Sequence, residues 1–249
     1  MSCEKSQSII FDETPPDRSR SVEFRLIYSG RVLSASREKT RADIKHEIRR
    51  EFHPQLRRLW NTNESLREIV KRYGYAAHAS HEREYYEFGG YGMGNRDCTG
   101  YDSPECDSLY REMGTDILSE KWVRSGFRFW PLVTEEYCLR CALDILFLRP
   151  EEPGMLIKSG DIDARIKTIF DALRMPKNLD ETGRMGPQVD EDPFFCLLED
   201  DKLISEIKVN TDNLLMLPKE REIRPNDALL VIHVKLWPSR DNTWKWAFS

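Results

Sequence analysis

Two groups of carboxylates carry the chemistry that this sequence can be read for. Gly160-Asp161-Ile162-Asp163 sets two aspartates two residues apart where a loop enters a helix, so both side chains can converge on one point. Lys167 and Asp171 follow Asp163 at i+4 and i+8, along one stripe of that helix. The second group is Glu199-Asp200-Asp201, in a turn between two hydrophobic segments. Clustered carboxylates repel one another unless a cation joins them, and Mg²⁺ suits a site of few protein carboxylates and several retained waters. Such an ion activates water and offsets the charge that develops in a phosphodiester displacement. A lysine at position 167 would add positive charge where an oxyanion forms. The same residues also have a plain reading. Acids at a helix start complement the helix dipole, Asp163–Lys167–Asp171 is then an exposed ion-pair ladder, and Asp200-Asp201 is a polar turn.

The elements that must position these groups are legible from periodicity. Val22–Tyr28 alternates as a strand, and a helix is predicted over Thr40–Trp60, where Ile44, Ile48, Phe52, Leu56 and Leu59 recur at helical spacing and Pro54 marks a break or kink. A short helix follows over Asn63–Arg72. Tyr73–Asp107 is Tyr- and Gly-rich, and its Gly89-Gly-Tyr-Gly-Met-Gly94 run lacks the Lys-Ser/Thr of a phosphate loop, so it reads as a surface loop. Strands are expected at Phe127–Val133, Glu136–Leu148, Phe194–Leu198, Leu203–Val209 and Leu229–Leu236, with a helix over Ile162–Met175. Strands and helices mix without regular alternation, which predicts an α+β fold, a mixed sheet with packed helices. The chain reads as a single domain, 1–249, with residues 61–126 as a helical and loop insertion and 127–249 as the motif-bearing core.

Charge is unevenly spread. The chain has 249 residues and a net charge of −5. Residues 37–58 nevertheless hold eight Lys/Arg against four Asp/Glu, a net +4, while residues 177–206 hold nine acids against three bases. Arg41, Lys45, Arg49, Arg50, Arg57 and Arg58 are therefore candidates for contact with a phosphate backbone. The alternative is a solvated face balanced by Asp43, Glu47 and Glu51. His46 and His53, seven apart on one helix face, read as solvated residues near that phosphate. His233 reads as a satisfied sheet histidine. Asp144 interrupts an apolar strand, where a charge is costly unless paired; it either joins the carboxylate cluster as an additional acid or sits at a wet edge. Cys138 and Cys141 form a CxxC that Cys98 and Cys106 could complete as a zinc set, but a CxxC within a strand points its thiols to opposite faces, and packed, reduced cysteines are expected. No apolar run approaches the length of a membrane span and the first residues do not read as a secretory signal, so a cytoplasmic protein is expected.

Gly160-Asp161-Ile-Asp163, Lys167, Phe170-Asp171-Ala-Leu173 and the later Glu199-Asp200-Asp201 before a hydrophobic strand resemble the RusA-like Holliday-junction resolvases. The resemblance covers about Cys141–Leu236. It implies that Asp161, Asp163 and Asp201 hold Mg²⁺ (or Mn²⁺), that Lys167 is the catalytic lysine, and that Asp200 has a lesser part. It further implies an α+β homodimer that cuts branched DNA, an endonuclease of DNA recombination and repair of the kind that travels with phages and mobile elements. Three features depart from the family pattern: Ala164 replaces the usual Asn, the connection over Met175–Leu198 is long, and residues 61–126 have no counterpart. They motivate the alternative expectation of a non-catalytic RusA-like module that binds DNA or protein, in phage or defence biology.

Overall fold

From Val22 to Arg31 the side chains alternate between the core (Leu26, Tyr28) and solvent (Arg25, Ile27, Ser29), the period of a strand packed on one face. This is β1 of the computed structural model, which describes residues 22–33, 38–72, 74, 104–137, 139–150, 161–183, 186–215 and 226–238. Helix α1 (Glu38–Thr62) buries Ile44, Ile48, Phe52 and Leu56, one per turn, and runs on through Pro54 without ending. Its Gln55 bonds both the N–H and the C=O of Ile27, at 2.9 and 2.7 Å, covering part of the edge of β1. Asn63 then accepts from the Leu66 N–H at 3.1 Å and so starts helix α2 (64–72).

Helix α3 (Pro104–Lys121) falls partly in the span expected to be a surface loop; residues 75–103 lie outside the described residues. A Cβ on its Gly114 would come within 1.9 Å of the Val70 carbonyl oxygen, so glycine lets α3 touch the end of α2. Strand β2 (Trp122–Arg124) and strand β3 (Phe127–Val133) join through Ser125 and Gly126, both at positive φ (54° and 82°), the conformation of a tight hairpin turn. Strand β4 (Leu139–Arg149), helix α4 (Asp161–Leu173), strand β5 (Phe194–Leu198), strand β6 (Ile204–Asn213) and strand β7 (Asp227–Pro238) complete the order.

The fold is α+β, with two sheets rather than the single mixed sheet expected. One has the order β1-β7-β4-β6, antiparallel except for the β4–β6 pair; the other is β2-β3-β5, with β3 and β5 parallel. Leu139, Cys141, Leu143, Ile145 and Phe147 of β4 face the core with Leu230, Ile232, Val234 and Leu236 of β7. Helix α1 packs on β1, α4 and β5, tying the two sheets together. Helix α4 ends where Arg174 bridges to Leu198 and the Met175 N–H donates to the Leu198 carbonyl at 2.8 Å. Among the described residues no helix is long and apolar enough to cross a membrane.

Candidate functional site

Helix α4 presents its charged stripe unevenly. Asp163 and Lys167 are exposed, but Asp171, on the same stripe, is buried against α1 and does not join them in a ladder. Lys45 donates to the Asp171 carboxylate at 2.5 Å and Arg174 donates at 3.1 Å. Burial would raise the Asp171 carboxyl, but the Lys45 hydrogen bond and the charges of Lys45 and Arg174 outweigh it and hold the group below its ordinary range. Asp161 is the first residue of α4, and its side chain lies outside what the structure describes.

The first half of α4 is anchored at one end of the four-stranded sheet. Arg165 donates to the Val32 carbonyl at 2.8 Å and to Asn226 at 2.9 Å, where β1 leaves and β7 enters. The acidic turn belongs to the other end. Asp200 caps a single 3-10 turn over Asp201–Leu203 by accepting from the Lys202 N–H at 3.1 Å, a bond that lowers its pKa. Directly afterwards Ile204 enters β6 beside Cys141, in the register row of Leu236 and Val22. The row of Ser29, Leu229, Leu148 and Asp212 lies seven residues further along β1, roughly 23 Å away at strand rise.

The structure therefore does not bring Asp163 and Asp201 together: a helix that returns antiparallel to its parallel strands keeps its start and the next strand's entry at opposite ends. Among the described residues, no three His, Cys, Asp or Glu side chains stand as a group that could hold a metal ion. Asp163 and Asp201, at opposite ends of the sheet, do not share one Mg²⁺ within this chain, and the Asp161 side chain lies outside the described residues. Asp144 is no part of it either, because it alternates with core-facing Leu143 and Ile145 and so lies on the other face of β4. There Lys208 and Asn210 each donate to it at 3.1 Å, the wet-edge arrangement.

The basic helix divides in two. Arg49, 1% exposed, donates to the carbonyls of Asp171 (2.6 Å), Glu181 (2.7 Å) and Arg174 (3.3 Å). Burial lowers its pKa to about 10, with Glu181 opposing the shift. Arg50 pairs with Glu191 at 2.6 Å. Lys45, Arg49 and Arg50, expected at a phosphate backbone, are instead spent inside the fold, because α4 and the 3-10 turn over Leu179–Thr182 dock on that face of α1. Arg57 and Arg58 are exposed and make no ion pair among the described residues, and the Arg41 side chain lies outside them.

The two histidines of α1 are also buried, not solvated. His46 stacks on Phe194 with ring centroids 5.9 Å apart, and neither ring nitrogen has a hydrogen-bond partner among the described residues. Burial, then Arg50 and Arg49, push its pKa down to about 4. His53 accepts from the Phe195 N–H through Nδ1 at 2.9 Å and meets the Asp190 carbonyl through Nε2 at 3.0 Å, which puts its proton on Nε2. His233 meets Glu23 at 2.9 Å, a satisfied sheet histidine. Cys141 and Cys196 are buried free thiols; burial raises Cys141 to about 12 and Cys196 further still. Cys138 and the Cys98 and Cys106 thiols lie outside the described residues.

Sequence reasoning missed a third place. Arg57, Trp60 and Asn61 of α1 meet Arg67 of α2, Arg111 of α3, Trp130 in the middle of β3 and Phe195 near the start of β5 around one cleft. The one sequence signal for it was the i, i+3, i+4 spacing of Arg57, Trp60 and Asn61 on a single helix face. Comparison with family models, with curated proteins and with solved structures gives no match to this chain.

Proposed function

We propose that the chain is a DNA-binding module built in RusA-like order. The order β4, α4, acidic turn, β6 supports the resemblance, and the observation that carries the choice of binding over cutting is the placement of Asp163 and Asp201 at opposite ends of the four-stranded sheet. With those carboxylates at opposite ends of a sheet, two of the family's three acids do not meet at one place within the chain. Asp200 caps a turn and Asp171 closes a core ion pair, so both acids serve the fold. Arg57 and Arg58, exposed and without an ion pair among the described residues, offer the positive charge that a phosphate backbone recognises.

A second reading, a Mg²⁺-dependent endonuclease acting on branched or structured DNA, is favoured by one observation. Asp163 and Lys167 are exposed one helical turn apart, and neither forms an ion pair among the described residues. The experiment that separates the two readings uses four-way-junction and linear duplex DNA, with Mg²⁺ or with a chelator, on the native protein and on Asp163→Asn. The binding module predicts retained DNA, uncut, with affinity indifferent to the substitution. Metal-dependent cutting that disappears in Asp163→Asn would establish the nuclease instead.

A further inference from the structure

The segment without a family counterpart, residues 61–126, supplies five of the thirteen residues that line the cleft noted above. Asn61, Arg67, Val70, Arg111 and Thr115 are these five, and Arg57, Trp60, Trp130, Pro193 and Phe195 are among the others, around a volume of about 760 Å³. That volume lies within the range of roughly 300–1,000 Å³ typical of small-ligand sites, so it admits a nucleotide-sized group but no double helix.

Its floor and rim differ in chemistry. Trp60 lies 5.3 Å from Trp130, which in turn stacks on Phe195 at 5.1 Å and 21°, a continuous run of three aromatic rings. The indole N–H groups of Trp60 and Trp130 are buried with no hydrogen-bond partner among the described residues, and the three rings are 2%, 4% and 6% exposed, so a base meets only the narrow surface that the floor leaves open. Three guanidinium groups, Arg57, Arg67 and Arg111, come to the rim from three different helices. Arg57 and Arg67 form no ion pair among the described residues. Two acids also line the cleft, but Asp192 is occupied by Arg128, which donates to both its carboxylate oxygens at 2.6 and 2.9 Å. Of the two lining acids, Asp190 is the one left to oppose Arg57 and Arg67 among the described residues.

We propose that this cleft binds an unpaired stretch of nucleic acid, with a base over the aromatic floor and its phosphates at the arginine rim. The inference deepens the DNA-binding reading by naming the form of DNA. A duplex hides its base faces and offers phosphates alone, whereas a single strand presents both a π-face and a charge, and this cleft answers both. The insertion then has a purpose: it turns one side of α1 into a wall of a single-strand site.

The test is fluorescence anisotropy with a labelled dodecamer of thymidine, its duplex with the complementary strand, and a four-way junction. The proteins are native, Arg57→Ala/Arg67→Ala, and Arg25→Ala/Arg31→Ala as a charge-matched control on β1, which does not line the cleft, each checked by thermal melting. The expected result is binding of the single strand at least about tenfold tighter than the duplex. The double variant should lose about tenfold or more, and its salt slope should fall by about 1.4, two contacts at about 0.7 each on a single strand. Arg25→Ala/Arg31→Ala should bind like the native protein. Equal affinity for duplex and single strand, an unchanged double variant, or full competition by poly-glutamate would overturn the proposal, the last by showing that charge alone suffices. If the junction is still bound while single-strand binding fails these tests, the cleft assignment falls and the DNA-binding reading stands. If no DNA is bound at all, both fall.

Discussion

The two halves of helix α1 carry the same kind of charge and put it to opposite uses. In the first half, Lys45, Arg49 and Arg50 turn toward α4 and the segment after it, where they meet Asp171, Glu181 and Glu191. In the second half, Arg57 and Arg58 stand in solvent, and Arg57 opens onto the cleft. The difference arises from what docks on the helix. A cation that meets a docked element becomes part of the core, where losing it strands buried partners; one that meets water remains available to a ligand.

The largest effect expected from breaking this comparison is at Arg49. Arg49→Ala leaves three carbonyls and the Asp171–Arg174–Glu181 network without their central cation and should cost about 3–5 kcal/mol of stability, read as the midpoint of urea unfolding. A loss under about 1 kcal/mol would mean that the network closes without it.

Next comes the pH response of His46. Its folded value of about 4 lies below the ordinary 6.5, so as pH falls below 6.5 the unfolded chain takes up a proton that the folded protein refuses. Stability is therefore full above pH 6.5 and declines by about 3 kcal/mol on the way to pH 4. His46→Phe, which fills the same aromatic pocket without ring nitrogens, should flatten that decline in unfolding midpoints taken across this window; an unchanged slope would exclude His46 as its source.

Lys45→Met should cost about 1–2 kcal/mol, less than Arg49, because Arg174 still pairs with Asp171. It should also move the acid limb of stability upward in pH. The lowered pKa of Asp171 stabilises the fold above the ordinary carboxylate range, and that contribution is lost as pH falls through the folded value. The smallest effect is expected at Arg128→Ala, whose pair with Asp192 is exposed and should be worth less than about 1 kcal/mol in thermal melts.

Much of the fold could be read along the chain. The four-residue recurrence of Ile44, Ile48, Phe52 and Leu56 fixes which face of α1 is buried, and the alternation through Leu143–Asp144–Ile145 places Asp144 outward once the core face is known. Helix α3 was hidden because its described buried positions are few, Gly114 and Leu118 among them, too thin a stripe to announce a helix. The fate of the charges was hidden for a different reason. Lys45 and Arg49 flank the apolar stripe much as Arg57 does, and only the docking of a helix more than a hundred residues later decides which are spent. The separation of Asp163 from Asp201 is likewise a property of topology. Local spacing brings two aspartates to one helix start, but where a third arrives depends on the end at which β6 enters its sheet.

The most direct measurement takes two variants side by side, Arg57→Ala/Arg58→Ala and Lys45→Met, and records both the unfolding midpoint and the affinity for four-way-junction DNA below the unfolding range. The account predicts a clean crossing: the double variant loses about tenfold in affinity with its midpoint unchanged, and Lys45→Met loses stability while the folded protein binds DNA as before. Loss of DNA affinity in Lys45→Met with full binding by Arg57→Ala/Arg58→Ala would contradict it.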